Sequence, residues 1–349
     1  MNESAPCLIG HPFAPIGRGE DVRCTYRSLR AVGVTATVLD VYGANAPDPE
    51  LREKFGPALT TKPGRVNIFH LNGDEVDPVF ATLQGKLPAD AYNIVYPAWE
   101  LSQYPKEWAR QLDRFDEIWA PRRFVQESLS PVVSKPLVHM PLACEVVLSE
   151  FRSRRYFNIP ESSCAFLFFF DLRSYAARKN PLAVVKAFEM LRAKHSMMDV
   201  CLVLKLHGAD SVPDGRAVID KITSMDRGHV ILIDRELTDN DVKNLVRCCD
   251  VFVSLHRSEG FGRGLAEAMS LAKPVVATAY SGNMDFMDEN TACLVGYELI
   301  PVKDGEYPHF EGQVWADADV DGAFDWMDRL AQSPSMRKEL GARARAKVD

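Results

Sequence analysis

Runs of apolar residues along this chain alternate with stretches in which apolar positions recur every three or four residues. The runs at 65–71, 92–96, 166–171, 200–206, 230–234, 251–255 and 274–279 are short and nearly continuous, the pattern of strands buried on both faces. The stretch 263–272 shows the other register, with Leu265, Ala268, Met269 and Ala272 on one face of an amphipathic helix. In the first part of the chain the pattern predicts strands at 7–10, 34–41, 65–71, 92–96, 117–120 and 137–140. Helices are expected from the turn at 15–20 to about 31, and over 75–83, 105–114 and 123–130. Periodicity fades over 145–160, where Arg152, Arg154 and Arg155 cluster, so a domain boundary is expected there. A second series follows, with helices at 181–194, 216–225, 239–249, 263–272 and 322–330, and helical character again at 342–349. Pro181 suits a first helical position, and Thr238 or Asp239 suits a cap. Strand–helix alternation with apolar strands means parallel sheets covered on both faces. The expected architecture is therefore α/β, in two Rossmann-like doubly wound domains covering 1–150 and 151–349.

Composition narrows the class. With 349 residues, 46% hydrophobic and 26% charged, the chain can fill two ordinary cores. Its net charge of −7 argues against nucleic acid as a partner, although a local basic patch leaves room for peripheral contact with an anionic membrane. The start lacks the basic and apolar segments of a secretion signal, and no apolar stretch reaches the length of a membrane span. The eight cysteines are scattered without metal-ligand spacing and are expected to be reduced thiols of a cytoplasmic protein.

The densest candidate chemistry lies in 251–279. A buried strand runs into the loop His256-Arg257-Ser258-Glu259-Gly260-Phe261-Gly262, a helix follows, and a second strand comes at once. That unit places a helix N-terminus, with unpaired N–H groups and a positive dipole end, at the carboxyl edge of a parallel sheet, where phosphate binds. Gly260 and Gly262 let the backbone approach a ligand. Glu267 sits inside the helix, about 7 Å of axial rise from those glycines, a placement suited to a ribose diol. Glu259, at the mouth, would meet what lies beyond the diphosphate. The competing reading pairs Glu267 with Arg263 on a solvated helix face.

A second cluster follows the strand at 166–171. Arg173, Arg178 and Lys179 lie between that strand and a helix start, where point charge, forked donors and a helix dipole suit a diphosphate. The end of strand 230–234, with Asp234, Arg235 and Glu236, is the candidate base site. Tyr280, Ser281, Gly282 and Asn283 form a turn that either touches the ligand or only reverses the chain. Asp317, Asp319 and Asp321 read as the start of a helix rather than as metal ligands.

The string HRSEGFGRGLAEAM, followed by KPVVATAYSGNMDFM, resembles the retaining glycosyltransferases of family 4, which have the GT-B fold of two domains facing across a cleft. The likeness is strongest over 166–295. It implies that Glu259 contacts the donor sugar and acts in catalysis, that Glu267 holds the ribose, and that Arg173 with Lys179 holds the diphosphate, Arg178 standing in reserve. It extends donor contact to His256, Gly260, Phe261, Gly262 and Arg235. Gly17-Arg18-Gly19-Glu20 loosely matches the family's glycine turn after the first strand, so Gly17 and Gly19 are expected beside the diphosphate or acceptor. Some members carry a histidine after the strand at 92–96; here Trp99 and Glu100 are its expected substitutes, with core packing as the other reading of Trp99. His70 and His139 are weaker candidates for a place in the cleft.

The implied activity is metal-independent transfer of a hexose-type sugar, with retention, from a UDP- or GDP-sugar to a saccharide or lipid-linked saccharide, as in cell-surface polysaccharide synthesis. No cofactor is implied. The rivals are a sugar-nucleotide epimerase, a glycosyl phosphorylase, or a non-catalytic module of a longer protein. The last is raised by an ending that is still helical where GT-B chains cross back to the first domain.

Overall fold

The structure, a computed structural model, describes residues 5–14, 16–43, 49–225 and 228–348. The chain forms two compact units, Met1–Ala143 and Cys144–Asp349. The first contains β1 (Cys7–Gly10), α1 (Gly17–Ala31), β2 (Thr37–Asp40), α2 (Pro49–Phe55), β3 (Val66–Phe69), α3 (Val76–Thr82), β4 (Tyr92–Val95), α4 (Lys106–Leu112), β5 (Glu117–Ala120), α5 (Arg123–Leu129) and β6 (Leu137–His139). Its six strands pair in parallel in the order β2-β1-β3-β4-β5-β6. The chain leaves β1 to one side for β2 and returns to the other for β3, so the switch point of this sheet lies between β1 and β3.

The second unit repeats the plan. β7 (Cys164–Asp171), α6 (Ala176–Lys179), α7 (Pro181–Lys194), β8 (Val200–His207), α8 (Gly215–Met225) and β9 (Val230–Asp234) are followed by α9 (Asp239–Cys248), β10 (Val251–Ser254), α10 (Arg263–Ser270), β11 (Val275–Thr278) and β12 (Cys293–Val295). The strands pair in parallel in the order β12-β11-β10-β7-β8-β9. The switch point is between β7 and β10, and both strands are almost wholly buried, as their apolar runs demand. Then come β13 (Tyr297–Pro301) and β14 (Val314–Ala318), an antiparallel pair in a sheet of its own, and the helices α11 (Val320–Gln332) and α12 (Pro334–Val348). α12 packs on α10, close enough that a Cβ on Gly341 would lie 2.0 Å from the carbonyl oxygen of Ala272.

The units meet between Ala143 and Cys144, seven residues before the expected division at 150. The arginine run explains the offset, because it ties the intervening segment to the second unit. Arg154 Nε donates to the carbonyl of Cys248 and its Nη2 pairs with Asp250 at 2.7 Å, while Arg152 Nε donates to Asp241. Three further expectations are corrected. The second strand is shorter than 34–41, α2 and α6 were not foreseen, and the β13–β14 hairpin lies where no elements were expected. The aspartate repeat behaves as expected: the Asp319 side chain caps α11 by accepting from the N–H of Asp321. Among the described residues no helix is long and apolar enough to cross a membrane.

Candidate active site

The carboxyl ends of β7 and β10 flank the switch point of the second sheet, and the candidate residues gather there. Past β10 the backbone turns through Glu259 and enters α10 at Gly262, whose φ of +86° is open to glycine but costly for other residues. The return loop after β11 packs on the same turn. The N–H of Gly282 donates to the carbonyl of Glu259 at 2.9 Å, and the N–H of Glu259 donates to Ser281 Oγ at 2.8 Å. The approach is so close that a Cβ on Gly282 would stand 2.2 Å from the carbonyl oxygen of Gly260. Gly282→Ala is therefore expected to cost about 1–3 kcal/mol of stability and to displace Glu259. Thermal unfolding together with a crystal structure of the variant checks both; an unchanged melting point and loop would contradict the assignment.

From the β7 side, Tyr175 begins the single turn of α6, and Arg178 and Lys179 project from it to the Glu259 carboxylate. Lys179 Nζ donates to Oε1, and Arg178 Nη1 lies 3.2 Å from Oε2 while also donating to the carbonyl of Ser258 at 2.9 Å. Burial by itself would raise the pKa of Glu259. Lys179, Arg178 and the nearby His256 more than offset it, so the carboxyl is held at about 2. Glu259 is thus an anion at any working pH, seated on two cations.

Arg173 is placed differently. Its Nε and Nη2 clasp Asp171, with Nη2–Oδ2 at 2.6 Å, and its side chain remains 45% exposed at the rim of the sheet. His207, at the end of β8, adds to this rim: its Nε2 lies 3.2 Å from Asp171, and its Nδ1 is 2.8 Å from Nζ of buried Lys205. Burial lowers the Lys205 ammonium to about 8. Sequence reasoning did not single out Lys205 or His207. The visible signal was two polar residues two positions apart, on one face at the end of an otherwise apolar strand.

The expected residues divide into three groups. Glu259, Lys179 and Arg178 are brought together, beside Gly260, Phe261 and Gly262. Glu267 is on α10 and only 6% exposed, which excludes the solvated-face reading. Arg263 lays its guanidinium over Phe261, 5.0 Å from the ring centre. Arg235 is exposed just past β9.

His256 does not stand open to a ligand: it is fully buried. Asn283 Nδ2 donates to the carbonyl of Thr278, so its Oδ1 faces His256 Nε2 at 3.1 Å. Nε2 therefore carries the proton, and Nδ1 accepts from Ser254 Oγ at 3.0 Å. Burial depresses its basicity, keeping it neutral. Donor contact by His256 is corrected to a structural role, fastening the return loop to β10.

The candidates of the first unit lie on their own sheet. Gly17 is the exposed first residue of α1, whereas Gly19 is buried where a Cβ would meet the carbonyl oxygen of Ala14 at 2.3 Å. Gly19 thus serves close packing of the helix on its loop, not approach of a ligand. Glu20 sits in a buried pair with Arg23 at 2.7 Å. Glu100 is half-buried after β4. Trp99 is 1% exposed, packs on Tyr104 and Trp108, and donates Nε1–H to the carbonyl of Gln103, so the sugar-platform reading is replaced by core packing. His70 is likewise buried, against Tyr96.

Residues 159–299 match the family model described as Glycosyl transferases group 1. No curated protein matches the chain. Among solved structures, HepE of Anabaena in complex with UDP and glucose is similar at 13% identity and a TM-score of 0.68, covering 98% of this chain and 94% of that one. Sucrose-phosphate synthase from Thermosynechococcus elongatus is similar at 16% identity and a TM-score of 0.67, covering 99% of this chain and 94% of that one. A glycosyltransferase from Rickettsia africae is similar at 14% identity and a TM-score of 0.63, covering 100% of this chain and 94% of that one. The fold is GT-B. The family match covers the strands, loops and helix that carry Arg173, Arg178, Lys179, Glu259 and Glu267, and it ends inside β13.

Proposed function

We propose that this GT-B chain is a retaining, metal-independent glycosyltransferase that moves a hexose-type sugar from a nucleoside diphosphate sugar to a saccharide or lipid-linked saccharide acceptor. The observation that carries the reading is the Glu259 carboxylate seated on Lys179 and Arg178 at the mouth of the glycine loop, at the β7/β10 switch point. A ligand there meets two cations, the N-terminus of α10 and, along the same helix, the Glu267 carboxylate. Lys179 and the exposed Arg173 would neutralise the departing diphosphate together with loop N–H groups. Arg178, buried at 4% exposure and hydrogen-bonded to backbone, would instead fix Glu259. Glu267 would take the ribose, and Glu259 the donor sugar. No side chain is set as a nucleophile in this reading. The acceptor attacks from the face of the leaving group, and a phosphate oxygen of that group takes its proton. The first unit, with Gly17 and Glu100, would take the acceptor.

HepE has been captured with UDP-glucose, which makes UDP-sugars the first donors to try. Thermal-shift titration against UDP-, GDP-, ADP- and dTDP-sugars tests donor binding and base choice together, and the anomeric configuration of the product tests retention. Stabilisation by none of the four would remove the reading. Release of sugar phosphate with inorganic phosphate, or isomerisation of the donor without acceptor, would replace transfer by another reaction. Arg173→Met is expected to weaken UDP binding about tenfold with little change in melting point, because the side chain is half-exposed and charge-assisted contacts to a phosphate contribute about 1.5–3 kcal/mol. Equal affinity in calorimetry would take Arg173 out of the phosphate site.

A further inference from the structure

The family match ends at Leu299, within β13, yet the hairpin that begins there turns back onto the candidate site. Three sets of contacts make the connection. The N–H of Ala316 on β14 donates to the carbonyl of Arg257 at 2.9 Å, and the N–H of Arg257 donates to the carbonyl of Arg178 at 2.8 Å. The Arg257 guanidinium is held over fully buried Trp315, 5.4 Å from the ring centre, with Asp317 at 3.3 Å and the carbonyl of Ala177 at 3.2 Å. Tyr307, between the two strands and 8% exposed, packs its ring 4.7 Å from that of Tyr175 and 5.8 Å from the Arg178 guanidinium.

Tyr175 gives these contacts their consequence. Its φ is +65°, a conformation that is costly for a non-glycine residue and persists only where the surroundings impose it. Its carbonyl accepts from the N–H groups of both Arg178 and Lys179, each at 3.1 Å. The orientation of α6, and so of both cations on Glu259, depends on Tyr175 staying in place. The ring of Tyr307 packs directly on it, and Arg257 braces the same turn at Ala177 and Arg178. Long cationic side chains lose much rotamer freedom when held in one geometry, and a wall that already restricts them lowers the cost of holding both on one carboxylate.

We propose that the β13–β14 hairpin is the positioning wall of the donor site, with Tyr307 and Arg257 acting through α6 to hold Arg178 and Lys179 on Glu259. Neither residue need touch the donor. The proposal rests on the donor-site reading for its effect on turnover but not for its effect on the ligand-free protein, and the test uses both.

The full-length protein is compared with Tyr307→Ala, Tyr307→Phe and Arg257→Met by carbon-13 NMR titration of the Glu259 carboxyl, melting temperature, UDP calorimetry and steady-state kinetics with a UDP-sugar. In the wild type the carboxyl is held at about 2, chiefly by the charges of Lys179 and Arg178, and buried His256 also faces it. Tyr307→Ala and Arg257→Met are expected to move that titration towards the ordinary glutamate range and to raise the donor KM about tenfold. The acceptor KM should be unchanged, and Tyr307→Phe should restore both readouts to within about threefold of wild type. An unmoved Glu259 titration in both Tyr307→Ala and Arg257→Met overturns the proposal, whatever the protein binds. Failure of both to fold overturns it too, since the hairpin would then be a stability element. A wild type with the low titration that binds no nucleoside diphosphate would remove the donor-site reading and leave the positioning wall standing.

Discussion

Lys179→Met is expected to lower turnover with a nucleoside diphosphate sugar by about 100- to 1,000-fold while the protein stays folded. Removing one preorganised donor to a developing anion typically has that effect, and Lys179 is the cation that projects from α6 onto the loop carboxylate. The fold should survive because Arg178 still neutralises Glu259 from the other side. A second signature separates this from a general loss of structure. The Glu259 carboxyl, normally near 4.5, is held at about 2 in the folded chain. A depressed acid contributes stability that is present above its unfolded value and lost as pH falls through the folded one. Without Lys179 the depression shrinks. The variant should therefore be less stable than wild type near neutrality, by about 2 kcal/mol, and the gap should close on acidification from about pH 4.5 towards 2. Melting temperatures across that range and kcat at pH 7 check the two signatures. A kcat within a few-fold of wild type would place the phosphate elsewhere.

Much of this was readable in the chain because the physics that writes it is local. β7, β8 and β10 are buried on both faces, so they appear as continuous apolar runs, and the loop after β10 announces itself through glycines beside a helix pattern. Glu259 pairs with a cation of the other strand's loop because β7 and β10 are neighbours in the doubly wound sheet, a pairing the sequence reading did not foresee. What was not readable depends on contacts distant in sequence. His256 looked like a loop residue facing a ligand, but its partner Asn283 is 27 positions away and buries it. Trp99 offers an aromatic face in sequence and is closed by Trp108 in the fold.

The three cations after β7 could not be ranked from their order alone. Arg173 is drawn to Asp171 two residues back, and the helical turn of α6 swings Arg178 inward beside Lys179. The hairpin escaped notice because β13 is mostly exposed and does not alternate: Leu299 and Ile300 are adjacent and both apolar, so no period of two emerges. The residues that act through others are thus the ones a linear reading loses, whereas residues with the chemistry to touch a ligand stand out by type.

The counterpart experiment is Glu259→Gln. It keeps the shape of the side chain and removes only its charge. In the ligand-free protein the carboxylate occupies the cations of α6, so a diphosphate must compete with it for Lys179. Neutralising Glu259 removes that competition. UDP is expected to bind as well as in wild type or several-fold more tightly, while kcat falls at least 100-fold, because the charge that meets the donor sugar is gone. Arg178, 4% exposed, would lose part of its compensation, and the melting point should drop modestly, recovering when UDP is added. Opposite movements of affinity and turnover cannot arise from a looser fold, which weakens both. Calorimetry with UDP and initial rates with a UDP-sugar provide the comparison. Parallel loss of binding and rate would make Glu259 a structural partner of Lys179 alone, and unchanged turnover would deny it any part in the transfer.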